Sequence, residues 1–243
     1  MTVRALRSLP NPSLEYLRWP WARGRDVPGP GLYYRVWRRL FQVTMTSLWR
    51  IRVFNRDLEP LTGGTVYVCN HQSFLDPMLM SFALRRPMSY MARDSLFRFA
   101  PFKKSIELLN AFPVRRGTAD LGALKEAMRR IKAGGQVVVF AEGTRTPDGH
   151  IQPFLPGVAM LSQRAAEWTV PVVIDGAYEV WPRTQPLPSP GGSISVQYAP
   201  PIHRDQARRD KPEQFVDRVR DILIDMQTDL RRRVGRPALR YEK

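Results

Sequence analysis

The 243-residue chain predicts an α/β fold. Short apolar runs of strand composition alternate with segments whose apolar residues recur at helical spacing. Two runs, 136–141 and 170–174, are nearly unbroken in their apolar character, as in strands buried on both faces. Several runs end in glycine, arginine or acidic residues, the kind of corner that gathers ligands at one edge of an α/β sheet.

Residues 1–30 are rich in Pro, Gly, Arg and Trp without a clear period, and are expected to form an irregular arm. From 31 to 50, Leu32, Tyr33, Val36, Trp37, Leu40, Phe41, Thr44 and Leu48 recur as on one helix. Arg35, Arg38, Arg39 and Arg50 are the only charges there, which suits a helix lying in a membrane interface. A helix docked on the protein's own core has the same pattern. Residues 1–60 hold 11 basic and 4 acidic side chains. That excess favours the membrane, because each basic residue near an anionic surface contributes about 1 kcal/mol. The expected division is an arm and interfacial helix over 1–57 and a main domain over 58–243.

Gly63-Gly64 predicts a turn and 65–69 a strand, which delivers the chain to Asn70-His71-Gln72-Ser73-Phe74-Leu75-Asp76. A helix follows to about residue 84. A short strand is expected at 89–91, an aromatic and basic stretch at 96–102, and a strand at 111–114 ending in Arg115-Arg116-Gly117. Leu121, Leu124, Met128 and Ile131 mark an amphipathic helix stopped by Gly134-Gly135. The strand 136–141 ends in Glu142-Gly143-Thr144-Arg145. After a helix over 158–166, the strand 170–174 ends in Asp175-Gly176. Ile194, Val196 and Tyr198 alternate as in a half-buried strand. Phe215, Val219, Ile222, Met226 and Leu230 predict a last helix ending in Arg231-Arg232-Arg233.

Composition narrows the function. Hydrophobic residues make up 43% of the chain, enough for a packed core. The single cysteine, Cys69, cannot form an intrachain disulfide, and three scattered histidines do not predict a structural zinc site. The net charge of +16 implies an anionic partner: nucleic acid, an anionic membrane face or a phosphorylated substrate. No run of eighteen apolar residues predicts a transmembrane helix, and no apolar signal-peptide core predicts export.

His71 and Asp76 carry the chemistry. A histidine at a strand end, with a carboxylate one helical turn away, is what a general base needs. A plainer role exists: Ser73 and Asp76 resemble a capping box, with Pro77 in the first helical turn. Arginine beside glycine at strand ends suits a phosphate through bidentate hydrogen bonds. Glu142 is expected to accept from a hydroxyl or to hold Arg145 or Arg116. There is no Gly-x-Ser-x-Gly elbow and no Walker loop. A base without an obvious serine or cysteine nucleophile points to direct transfer, in which a deprotonated hydroxyl attacks an activated acyl carbon.

Residues 70–76 resemble the NHxSxxD block of the glycerolipid acyltransferases, the 1-acyl-sn-glycerol-3-phosphate (lysophosphatidic acid) acyltransferase family. Residues 112–117 resemble its second block, 140–145 its third, FPEGTR, and 170–173 its fourth, in the family's order across about residues 58–202. The resemblance implies a mixed, largely parallel sheet wrapped by helices, as in glycerol-3-phosphate acyltransferases, with an acyl-chain tunnel. It makes His71 the base and Asp76 its orienting partner. It assigns Arg116 to the acceptor phosphate, with Arg115 second, and Glu142, Gly143, Thr144 and Arg145 to acceptor binding. It implies an acyl-CoA or acyl carrier protein donor, no metal and no redox cofactor. Known members carry N-terminal helices on the membrane, so a peripheral or monotopic protein on the cytoplasmic membrane face is expected. Arg93 stands where some members have a basic residue near the thioester. Ala141 departs from the proline usual in the third block, and Ile174 from the second proline frequent in the fourth. Another lysophospholipid or related alcohol is the alternative acceptor. A basic nucleic-acid-binding protein is the remote alternative, and it would need a reading surface that the chain does not display; an inactive membrane scaffold is the third possibility, against the intact His71/Asp76 pair.

Overall fold

The computed structural model describes residues 31–115 and 120–241. The arm 1–30 and the expected phosphate ligand Arg116 lie outside the described residues. Eight described strands form one sheet: β1 (Arg50–Phe54), β2 (Thr65–Cys69), β3 (Met88–Arg93), β4 (Ala111–Val114), β5 (Gln136–Phe140), β6 (Trp168–Asp175), β7 (Ser193–Tyr198) and β8 (Ile202–His203). The strand order is β1-β7-β6-β2-β5-β3-β4, with β8 pairing β6 off this path. Strands β6, β2, β5, β3 and β4 run parallel, whereas β7 is antiparallel to β6 and β1 runs with β7. The sheet is mixed and largely parallel, as expected. Its five parallel strands bring their C-terminal ends to one edge.

The central strand shows why this sequence folds this way. All five residues of β2 are buried, between β5 on one side and β6 on the other. Val66 and Val68 enter one core with Val137, Val173, Ile131, Leu161, Phe215 and Leu223. Tyr67 and Cys69 enter the other with Val138, Val170, Val172, Leu79 and Tyr198. Each fully buried valine or leucine contributes about 1.5–3 kcal/mol. Gly64 opens the strand because a Cβ there would collide with the Ile131 carbonyl.

The helices are α1 (Leu32–Leu48), α2 (Asp76–Phe82), α3 (Ala100–Leu108), α4 (Leu121–Lys132), α5 (Gly157–Arg164), the one-turn α6 (Ala177–Val180) and α7 (Arg204–Ala207), and α8 (Pro212–Arg233). Asp120 caps α4 by accepting the Ala123 N–H at 3.0 Å, and three cations occupy its last turn, where the helix dipole favours them. Strand β1 and helix α3 were not expected from the sequence. The run 96–102, expected only as aromatic and basic, divides between a 3₁₀ turn (Asp94–Phe97) and the start of α3.

Helix α1 buries Met45 in the core but turns much of its apolar surface outward. Its outward residues Leu32, Val36, Leu40 and Val43 are 46–69% exposed. Its inward face carries polar groups: Gln42 Nε2 donates to the Phe82 carbonyl at 2.7 Å, Arg38 to the Leu84 carbonyl, and Tyr34 Oη accepts the Met88 N–H at 3.1 Å. Among the described residues, no helix is long and apolar enough to cross a membrane.

Candidate active site

The site stands at the C-terminal edge of β2, β5 and β6. Its frame is laid first by Asn70, which leaves β2 and faces the backbone of β6. Asn70 Nδ2 donates to the Ile174 carbonyl at 2.9 Å, and Asn70 Oδ1 accepts the Ile174 N–H at 2.8 Å. A proline at 174 would lack that N–H. Ala141 behaves alike: its N–H donates to the Cys69 carbonyl at 3.0 Å. Both departures from the family's prolines therefore supply a hydrogen bond that joins segments far apart in the chain.

His71 follows. Its Nδ1 lies 2.7 Å from Asp76 Oδ2, and the pair is almost wholly buried. The same oxygen accepts the N–H groups of Gln72 at 2.6 Å and Ser73 at 2.7 Å. The carboxylate thus takes Nδ1–H as a donor and leaves Nε2 as the proton acceptor. Phe140 stacks on the imidazole, with ring centres 4.2 Å apart and planes 19° from parallel. Only half of the capping box forms: Asp76 Oδ2 reaches back to the Ser73 N–H, while Ser73 Oγ does not accept the Asp76 N–H. Helix α2 begins at Asp76 without a side-chain cap, and the Asp76 carboxylate serves Gln72, Ser73 and His71. Ser73 Oγ instead donates to the Trp181 carbonyl at 2.9 Å and accepts the Leu75 N–H at 3.2 Å.

Glu142 grips the base from the opposite side. Its Oε1 accepts the His71 N–H at 2.8 Å, and its Oε2 the Gln152 N–H at 3.3 Å. Burial pushes its carboxyl up to about 8, against the lowering effect of those two N–H donors. The His71 carbonyl accepts the Thr146 N–H at 2.7 Å, so the loop after β5 holds both backbone groups of the histidine. That loop is itself held by α8 and the C-terminal segment. Arg220 donates to the carbonyls of Ile151 and Gln152, and Tyr241 Oη accepts the Ile151 N–H at 3.0 Å. Asp175, fully buried at the end of β6, pairs with Arg231 at 2.7 Å and Arg236 at 2.8 Å.

A cavity of about 660 Å³ opens beside His71, and its walls are mainly apolar. Thr144 and Arg145 line it with His71, as do Phe140, Tyr90, Met91 and Leu109. Glu142 and Gly143 are not among the lining residues. Gly143 turns the chain at φ +70°, where a Cβ would stand 2.6 Å from Leu155 Cδ1. The Arg145 guanidinium lies 3.5 Å over the centre of the Phe74 ring. Among the described residues, four arginines line the cavity (Arg38, Arg93, Arg145 and Arg183) and no carboxylate does. Arg38 and Arg183 were not singled out as site residues in the sequence; neither adjoins a strand-end glycine. Phe140 was visible only as a letter of the third block. Arg115, exposed at the end of β4, does not line the cavity, and its N–H donates to Asp120 Oδ2 at 2.8 Å.

A model of the acyltransferase family matches residues 50–175. A 1-acyl-sn-glycerol-3-phosphate acyltransferase of Cocos nucifera is 26% identical over 216 residues, covering 86% of this chain and 66% of that protein. The chloroplastic enzyme LPAT1 of Arabidopsis thaliana is 26% identical over 72% of this chain and 52% of its own. The Bacillus subtilis enzyme of the same name is 25% identical over 59% of this chain and 71% of its own. This chain thus spans between half and two thirds of the length of the two plant relatives. The crystal structure of the 1-acyl-sn-glycerophosphate (LPA) acyltransferase PlsC from Thermotoga maritima superposes with a TM-score of 0.69 at 23% identity, over 81% of this chain and 79% of that one. That likeness establishes a shared fold.

Proposed function

The chain belongs to the acyltransferase family, and from that membership we propose that it moves a fatty acyl chain from a thioester donor, acyl-CoA or acyl carrier protein, to the free hydroxyl of 1-acyl-sn-glycerol-3-phosphate, giving phosphatidic acid. The observation that carries this is the His71–Asp76 pair, 2.7 Å apart, beside an apolar cavity lined, among the described residues, by arginines and no carboxylate.

His71 Nε2 takes the proton of the acceptor hydroxyl, and the oxygen attacks the thioester carbonyl carbon. Asp76 stabilises the imidazolium while the tetrahedral intermediate forms. The intermediate collapses by breaking the C–S bond, and the imidazolium returns the proton to the departing thiolate. The acyl chain occupies the apolar cavity. Arg145, with Arg116, neutralises the acceptor phosphate through charge-assisted hydrogen bonds. Glu142 and Gly143 serve acceptor binding from behind the cavity wall, by fixing His71 and the turn that carries Thr144 and Arg145. All of this is the work of side chains, without a metal or redox cofactor.

The membrane partner is an anionic bilayer surface, met by α1 on the cytoplasmic face as a peripheral or monotopic attachment. The outward apolar surface of α1 supports this, since Leu32, Val36, Leu40 and Val43 face outward beside Arg35 and Arg39. The test is an acyl-transfer assay on the purified protein with a panel of lysophospholipids and both donor types. Phosphatidic acid should form faster than any other product. Faster transfer to a different lysophospholipid would move the assignment to that acceptor.

A further inference from the structure

Arg183 and Thr184 line the cavity, yet they belong to none of the four family blocks. They are the two central residues of a tight turn, closed by the Gln185 N–H donating to the Pro182 carbonyl at 3.2 Å. The Trp181 indole N–H donates to the Gln185 carbonyl at 3.1 Å and braces the turn.

This turn is fastened to the block that carries the base. Ser73 Oγ donates to the Trp181 carbonyl at 2.9 Å, and the Phe74 and Trp181 rings lie 5.0 Å apart. Phe74 is also the ring under the Arg145 guanidinium. The tip of the turn is therefore set in register with His71 and Arg145 by the two residues that follow Gln72. Arg183 is exposed, and among the described residues it forms no ion pair. Among the described residues no carboxylate lines the cavity to neutralise its charge.

We infer that the 182–185 turn is a phosphate-binding element of the site, in which the Arg183 guanidinium and the Thr184 hydroxyl hold a phosphate of one of the two substrates. This rests on the acyl-transfer function proposed above. A phosphate monoester carries close to two negative charges, more than one guanidinium neutralises. Arg183 reaches the cavity from a different loop than Arg145 and adds a further guanidinium to those of Arg38, Arg93 and Arg145. The phosphate belongs either to the acceptor headgroup or to the nucleotide of a CoA donor, and the two sources separate by experiment.

The experiment compares the wild-type protein with Arg183→Gln and Arg183→Lys, all in one detergent. Dissociation constants are measured by calorimetry for lysophosphatidic acid, for monoacylglycerol, which lacks the phosphate, and for CoA. Arg183→Gln should weaken either lysophosphatidic acid or CoA about tenfold, leave monoacylglycerol unchanged and be partly rescued by Arg183→Lys. The ligand that weakens identifies the source. Unchanged affinity for both phosphorylated ligands, or equal weakening of monoacylglycerol, overturns the inference. Wild-type turnover, measured separately, decides the acyl-transfer function: a protein that binds these ligands with Arg183 yet transfers no acyl chain refutes the function and keeps the contact.

Discussion

Glu142 Oε1 accepts the backbone N–H of His71 at 2.8 Å. The segment 140–145 thus acts as a clamp on the segment 70–76. Glu142 is buried and does not line the cavity, so any influence it has there passes through the position of the imidazole. Several expected outcomes follow from such long-range fastenings.

His71→Ala should lower kcat by roughly a hundredfold to ten-thousandfold, the usual contribution of a positioned base, with little change in thermal unfolding. Asp76→Asn keeps an oxygen for the Gln72 and Ser73 N–H groups but loses the charge that stabilises the imidazolium. Its kcat should fall by a large factor while KM for the acceptor stays within about threefold. Steady-state kinetics in detergent checks both, and near-normal turnover by His71→Ala would remove it as the base.

The Glu142 carboxyl titrates near 8 in the folded protein against an ordinary value of 4.5. The folded state therefore binds the extra proton between those values. Stability from this group is fully present below about 4.5 and is lost as the pH rises towards 8. The limiting slope is about 1.4 kcal/mol per pH unit. Glu142→Gln should flatten the fall in unfolding free energy across that window, measured by denaturant titration at several pH values. An unchanged slope would show that other groups set the pH dependence.

Ala141→Pro and Ile174→Pro restore the family's usual residues and remove the N–H donors to the Cys69 carbonyl and Asn70 Oδ1. Each should cost about 1–3 kcal/mol of stability, because a buried acceptor is left without its partner. Acyl transfer should persist, since neither residue supplies chemistry. Chemical denaturation gives the cost, and a stabilised variant would mean that these bonds contribute nothing net.

Replacing both Val36 and Leu40 with aspartate places two charges on the outward stripe of α1. Neither residue is buried in the domain, so the fold should survive. Sedimentation with phosphatidylglycerol vesicles should drop at least tenfold, with transfer to detergent-dispersed substrate retained. Undiminished sedimentation would assign that stripe to another partner.

The strands legible in the sequence were those with unbroken or alternating apolar patterns, and the helices those with a clear apolar face. Helix α3 escaped because none of its residues is buried, so no inward stripe marks it. Strand β1 escaped because its five residues directly follow a helix and pair with Ser193–Gln197, some 140 positions away. The sequence shows that Glu142 stands at a strand-end corner but not which way it turns; in the structure it faces the His71 N–H.

By itself the sequence determined the α/β class, the corners at the strand ends, the pairing of His71 with Asp76 and the family resemblance of the site. All of these rest on residues close in the chain, where hydrophobic period and spacing act directly. The tertiary structure alone decided that α1 turns its apolar stripe outward, that Asn70 ties β2 to β6, that Glu142 faces the histidine backbone and that Arg183 reaches the cavity. These depend on where side chains point once distant segments meet. Close packing and the need to pair every buried polar group settle those directions together.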